Sequence, residues 1–112
     1  MPMAMSMKPW GDIQEADYAD AGDYCDASLV NMNEGPRARW SKSQCHLPVR
    51  EPKAMGGQVN RNALAACAAV LVGARGGVNM SPDMKRKAAK DLVRLYAQAG
   101  ITPPDALARM AG

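Results

Sequence analysis

At 112 residues the chain has room for one domain at most and a modest core, so a partner that supplies part of the stability is expected. Two Trp, three Tyr and no Phe leave the apolar fraction to Ala, Leu, Val and Met, a mix that favours helices over sheets, and no apolar run approaches the ~20 residues needed to span a bilayer. The formal charge of +3 is too small to declare a nucleic-acid binder, but it is unevenly spread: residues 1–40 carry three basic and seven acidic side chains, residues 41–112 eleven and four.

Such halves can attract each other, a second copy in a homo-oligomer, or a partner's complementary surface. The three cysteines, Cys25, Cys45 and Cys67, form an odd set with no CxxC pair, which predicts reduced thiols in a cytosolic product and no disulfide framework.

Residues 1–11, MPMAMSMKPWG, contain no apolar core of signal-peptide length, so no secretion signal is read. Met3, Met5, Met7 and Trp10 give this arm adaptable apolar side chains. Nothing in it predicts self-ordering, and its expected place is across another protein. Residues 12–40 form an acidic segment in which Asp17, Asp20, Asp23 and Asp26 recur at every third position, with Tyr18 and Tyr24 between them. A calcium loop needs oxygens at alternate positions, a central Gly and a late bidentate Glu. The spacing here is three and the Glu is missing, so the acids read as a solvated face. Tyr18, Tyr24 and Trp40 join the arm residues as candidate partner contacts.

Two short apolar stretches, Ser28–Met32 and Cys45–Val49, flank the turn signal Asn33-Glu34-Gly35-Pro36 and the basic RARWSKSQ. They could pair as a two-stranded ribbon, with Pro48 confined to an edge.

Residues 41–112 read as a helical module. After a loop over 50–58, a helix starts with Asn60 or Asn62 as its cap. Leu64, Cys67, Ala68, Leu71 and Val72 follow the i, i+3, i+4, i+7, i+8 pattern of a core-facing stripe. The Ala residues between them predict burial on more than one side. Ser81-Pro82-Asp83 opens a second helix with a cap, a first-turn Pro and an acid at the positive end of the dipole, and Gly100 ends it after Ala99. Its stripe is Ala88, Leu92, Leu95, Tyr96 and Ala99. Thr102-Pro103-Pro104-Asp105 repeats the start signal for a last helix ending near Met110. The predicted core is Leu64, Cys67, Leu71, Leu92, Leu95 and Tyr96. The predicted fold is mainly α: a small helical domain with a C-terminal helix pair, a short two-stranded ribbon and an extended N-terminal arm.

Chemistry is sparse. GARGGVNMS follows a helix, lacks the GK[ST] of a phosphate loop and presents a helix C-terminus, the wrong polarity for an anion. It reads as a helix stop and connector. Two helices joined through glycines outline a helix-turn-helix, and Lys85, Arg86, Lys87, Lys90 and Arg94 make the second one basic. Yet the connector, Gly73 to Met80, is long, and the second helix begins with Pro82 and Asp83, where a DNA reader needs Arg, Asn or Gln. Nucleic acid is disfavoured. Cys25, Cys45, His46 and Cys67 lack the paired spacing of a structural zinc site, so no metal and no cofactor is expected. His46 is the single histidine, no base and nucleophile converge on it, and an enzyme is not expected.

One resemblance supplies a setting. LPVREP (Leu47–Pro52), NRNAL (Asn60–Leu64), GARGGV (Gly73–Val78), SPDMKRKAAKDLVRLY and a closing Pro-Pro occur in an order that resembles a small module of tailed-bacteriophage head-gene proteins, stand-alone or appended to the capsid maturation protease. The resemblance spans roughly 70 residues from Trp40, where the order of pieces is more specific than any one of them. At the position of His46 that family commonly has a basic or aromatic residue, a small departure. The module carries no catalytic residues. What the resemblance implies is a non-enzymatic virion protein, made in the host cytoplasm, that binds the capsid or another head protein. An assembly-stage scaffold or protease-associated adaptor and a small DNA-binding regulator are the alternatives.

Overall fold

The computed structural model describes residues 5–73 and 80–112, which form two compact units, Met5–Ala63 and Leu64–Gly112. Residues 5–11 of the expected arm, the acidic segment and residues 41–63 belong together in the first of these. The connector proposed around GARGGV lies largely outside the described residues.

In the first unit, Asp20 caps helix α1 (Ala21–Asp26), its carboxylate accepting from the Asp23 amide at 2.8 Å. Strands β1 (Ser28–Asn31) and β2 (Cys45–Pro48) then pair antiparallel, with Ser28 opposite Pro48, Val30 opposite His46 and Asn31 opposite Cys45. The ribbon expected from the two apolar stretches is therefore present, and a two-stranded sheet leaves Pro48 on an edge. With it the architecture is a mixture of helix and sheet rather than mainly α. Leu47 adopts φ +64° inside β2 while buried, a conformation that a branched side chain disfavours.

Backbone pairing continues past the ribbon. The Val49 amide donates to Ala27, the Asn60 amide to Val49 O, and Ser6 bridges Val59 and Arg61 through its own N–H and C=O at 2.9 and 3.0 Å. Residues 5–8 of the arm are thus ordered against their own chain. Residues 5–8 find their hydrogen bonds in their own chain, because the extended stretch at Val59–Asn60 offers an unpaired edge.

Helix α2 (Arg61–Leu71) is capped by Asn60, whose Oδ1 accepts from the Ala63 amide at 3.0 Å. Ala63, Leu64, Cys67, Ala68 and Leu71 are buried, but Ala65, Ala66, Ala69 and Val72 are exposed. Burial on more than one side, expected from the small residues, does not occur: one stripe of the 3.6-residue period is covered.

In the second unit, α3 (Pro82–Ala99) begins and ends as its signals predict. Ser81 Oγ accepts from the Met84 amide, Pro82 takes the first turn, and Gly100 at φ +74° returns its amide to Ala97 O. Ala88, Ala89, Leu92 and Tyr96 are buried, while Leu95 is only half-buried. Helix α4 (Asp105–Ala111) packs on α3 and places Leu107 fully inside, a core residue missed by the sequence reading. Pro104, not Thr102, holds the cap position of α4, and no side chain caps it.

Candidate interaction surface

Of the four acids at every third position, Asp17, Asp20 and Asp26 are exposed, as a solvated face requires, and Asp23 is buried; each also has a structural task. Asp17 accepts from the Gln14 amide at 2.7 Å and Asp20 caps α1. Asp23 is buried and accepts from the Ala19 and Lys53 amides at 3.0 and 3.3 Å. Asp26 sits at the other end of α1 and receives both ends of the Arg37 fork at 2.7 Å, together with Lys53 Nζ at 2.8 Å. A three-residue step rotates side chains around a helix of 3.6 per turn, and the chain enters α1 extended, so the acids point to different neighbours. The two cations hold the Asp26 carboxyl well below the usual carboxylate range, the Arg37 hydrogen bonds contributing most.

Arg37 is the centre of the arrangement. A Cβ on Gly22 would lie 2.7 Å from its Nε and Nη2, so the guanidinium rests directly on the α1 backbone where glycine leaves room. On its other side the guanidinium carbon is 5.4 Å from the centroid of the Trp40 ring, a cation–π distance. The indole Nε1 donates to Gly35 O at 3.2 Å, and Gly35 uses its left-handed φ of +80° to turn the chain toward Pro36 and the Arg37–Arg39 turn. Asp20, Ala21, Gly22, Arg37, Ala38 and Trp40 line an open cleft of about 540 Å³. Arg37 is exposed and Trp40 half-exposed, and both are fixed in place by neighbours.

The same unit holds a buried polar cluster. Glu51 and Asn60 are 2% and 0% exposed. Asn60 Nδ2 donates to Glu51 Oε2 and to Lys8 O, both at 3.0 Å, while Lys8 Nζ approaches Glu51 at 3.8 Å. Burial disfavours the Glu51 carboxylate, but Ser6 and Asn60 as donors and the Lys8 charge outweigh it and hold the group below its ordinary value. Asn62 Nδ2 also donates to Met7 O and Lys8 O. These bonds hold the arm.

The predicted contact residues divide accordingly. Trp40 forms the cleft. Met7 is exposed, Met5, Trp10 and Tyr24 are half-buried, and Met3 lies outside the described residues. Tyr18 is not on a contact surface: it is 2% exposed, its ring meets Tyr24 edge-on with centroids 5.0 Å apart, and its hydroxyl donates to Arg50 O. Burial pushes its phenol well above the usual value. Gly22, Arg37 and Glu51 were missed, and Asn60 was read only as a helix cap. An Arg three residues before a Trp, after a Gly-Pro turn, was the available signal for Arg37.

The cysteine reading is corrected as well. Cys25 on α1 and Cys45 on β2 form a disulfide. The helix-to-strand return sets their Cα atoms 5.4 Å apart, inside the roughly 4.4–6.8 Å range a bridge requires, which residue parity cannot reveal. Neither sulfur is then a thiolate for a metal or for a Cys–His pair, and His46 stands half-buried opposite Val30. Burial pushes the Cys67 thiol up to about 12. Among the described residues no group of three or more His, Cys, Asp or Glu is arranged to hold a metal ion, and no helix is long and apolar enough to cross a membrane. Comparison with protein-family models, curated proteins and solved structures finds no match.

Proposed function

We propose that the protein is a non-enzymatic binding component of a tailed-bacteriophage head, and that it engages the capsid or another head protein through the Arg37–Trp40 cleft. The observation that carries the binding role is the fixing of Arg37 between the Gly22 backbone, the Asp26 carboxylate and the Trp40 ring. Arg and Trp are the residue types that dominate binding energy at protein interfaces, and holding them in place beforehand lowers the entropy lost on association. The phage setting rests on the order of motifs from Trp40 onward.

A protein partner is favoured over DNA by the charge on α3. Asp91 sits within 3.2 Å of Lys87 and 3.5 Å of Arg94, so part of the basic face is balanced internally. Particles purified from a lysate of the encoding phage test the reading. Mass spectrometry should find the chain in mature heads, and Trp40→Ala should deplete it from them. Detection only in immature heads would establish the assembly-stage role instead, and absence from both would refute the proposal.

A further inference from the structure

The Cys25–Cys45 bridge closes a segment that contains the entire loop side of the cleft. Helix α1 and its cap carry Cys25, Gly22 and Asp20, one wall; Arg37 and Trp40, the other wall, lie between the two half-cystines in sequence. One side chain joins bridge to cleft. Asn33 Nδ2 donates to both sulfurs, at 3.5 Å to Cys25 and 3.3 Å to Cys45, and to Ser41 O at 3.1 Å, while Asn33 Oδ1 accepts from the Ser41 amide at 2.8 Å. Ser41 is the residue after Trp40. Two residues beyond Cys45, Leu47 holds its left-handed φ of +64° within the strand, a conformation that persists only where surroundings enforce it.

We infer that the Cys25–Cys45 disulfide is a redox latch for the Arg37–Trp40 cleft, so that binding through this cleft is competent in the oxidised protein and disarmed by low-molecular-weight thiols. The inference rests on the binding role proposed above for the same cleft. The exchange partner is a glutathione-type thiol. One glutathione thiolate attacks one half-cystine, the S–S bond breaks, the other protein sulfur leaves as a thiolate, and a mixed disulfide remains. A second glutathione attacks that mixed disulfide at the glutathione sulfur and releases glutathione disulfide, leaving two protein thiols. Glutathione disulfide drives the reverse sequence, so electrons balance in both directions. Both half-cystines are buried, 4% and 3% exposed, so exchange proceeds through local opening of the 33–45 segment. Cys67, buried on α2, holds its proton at neutral pH and stays outside the exchange.

The test uses the full chain in glutathione buffers of opposite poise, with hydrogen exchange read by mass spectrometry. A Trp10→Phe background lets acrylamide quenching report Trp40 alone. Reduction should speed exchange across residues 33–44 by at least about tenfold and raise Trp40 quenching, while α3 amides stay protected. A Cys25→Ser/Cys45→Ser double variant should match the reduced wild type; if it does not fold, the reversible wild-type titration decides alone. Unchanged exchange at 33–44 would overturn the latch, and so would an equal loss of protection across α3 and α4, which would make the bridge a global staple. Heads that lack the protein, with 33–44 still responding to redox, would refute the binding role and leave the conformational latch standing.

Discussion

Replacing Asn60 by alanine removes three functions of one buried amide at once. Its Oδ1 caps α2 through the Ala63 amide, its Nδ2 satisfies Glu51, and the same Nδ2 holds Lys8 O of the arm. Loss of an Asn cap costs about 1 kcal/mol. Leaving a carboxylate that is 2% exposed short of a donor costs about a further 1–3 kcal/mol. The total, roughly 3 kcal/mol, is a large share of the stability of a domain this size. Urea denaturation at pH 7 should show that loss, with far-ultraviolet circular dichroism and Trp fluorescence followed separately because the chain has two compact units. Hydrogen exchange should speed at the Ser6 amide, which donates to Val59 O. A loss below about 1 kcal/mol with Ser6 protection unchanged would refute the view of Asn60 as the junction of arm, helix and buried acid. Asn60→Asp separates the parts. It keeps the cap but sets a second carboxylate beside Glu51, so one acid of the pair takes a raised pKa. The variant should therefore lose stability as pH rises through that value.

The wild-type protein should show the opposite slope. Glu51 is held below its ordinary 4.5, so its contribution is complete above that value and is lost as pH falls through the lower folded-state value; Glu51→Gln should flatten the urea midpoint over that acid window. Asp26 adds to the same acid loss, but its partners are exposed and salt should weaken its share, which a midpoint series in NaCl checks. Gly22→Ala should change stability by less than about 1 kcal/mol, since a better helix former offsets a clash that the long Arg37 side chain relieves by shifting its guanidinium. It should nevertheless displace the guanidinium from Asp26 and reduce incorporation into heads as strongly as Trp40→Ala. Leu107→Ala should cost about 2–5 kcal/mol and strip protection from α4, measured by denaturation and hydrogen exchange.

Local signals were legible wherever one short stretch carried all the information. The limits of α3 follow from Ser81, Pro82 and Gly100, whose cap and left-handed stop need no distant partner. The apolar stripe of α2 and the two ribbon strands likewise follow from their residue periods. Tertiary structure decided everything that depends on which distant groups meet. The regular acids read as a solvated face, which holds for the exposed Asp17, Asp20 and Asp26, but only the fold buries Asp23 and gives each acid a particular donor. Three cysteines without a pair motif gave no hint that α1 and β2 would place two of them within bridging distance. Residues 6–8 of the arm looked incapable of order because their partners, Val59, Asn60 and Asn62, lie more than fifty residues away. Periods and caps are properties of neighbours along the chain; a buried Glu–Asn pair, a disulfide and an arginine laid on glycine are properties of neighbours in space, and only the folded chain brings those together.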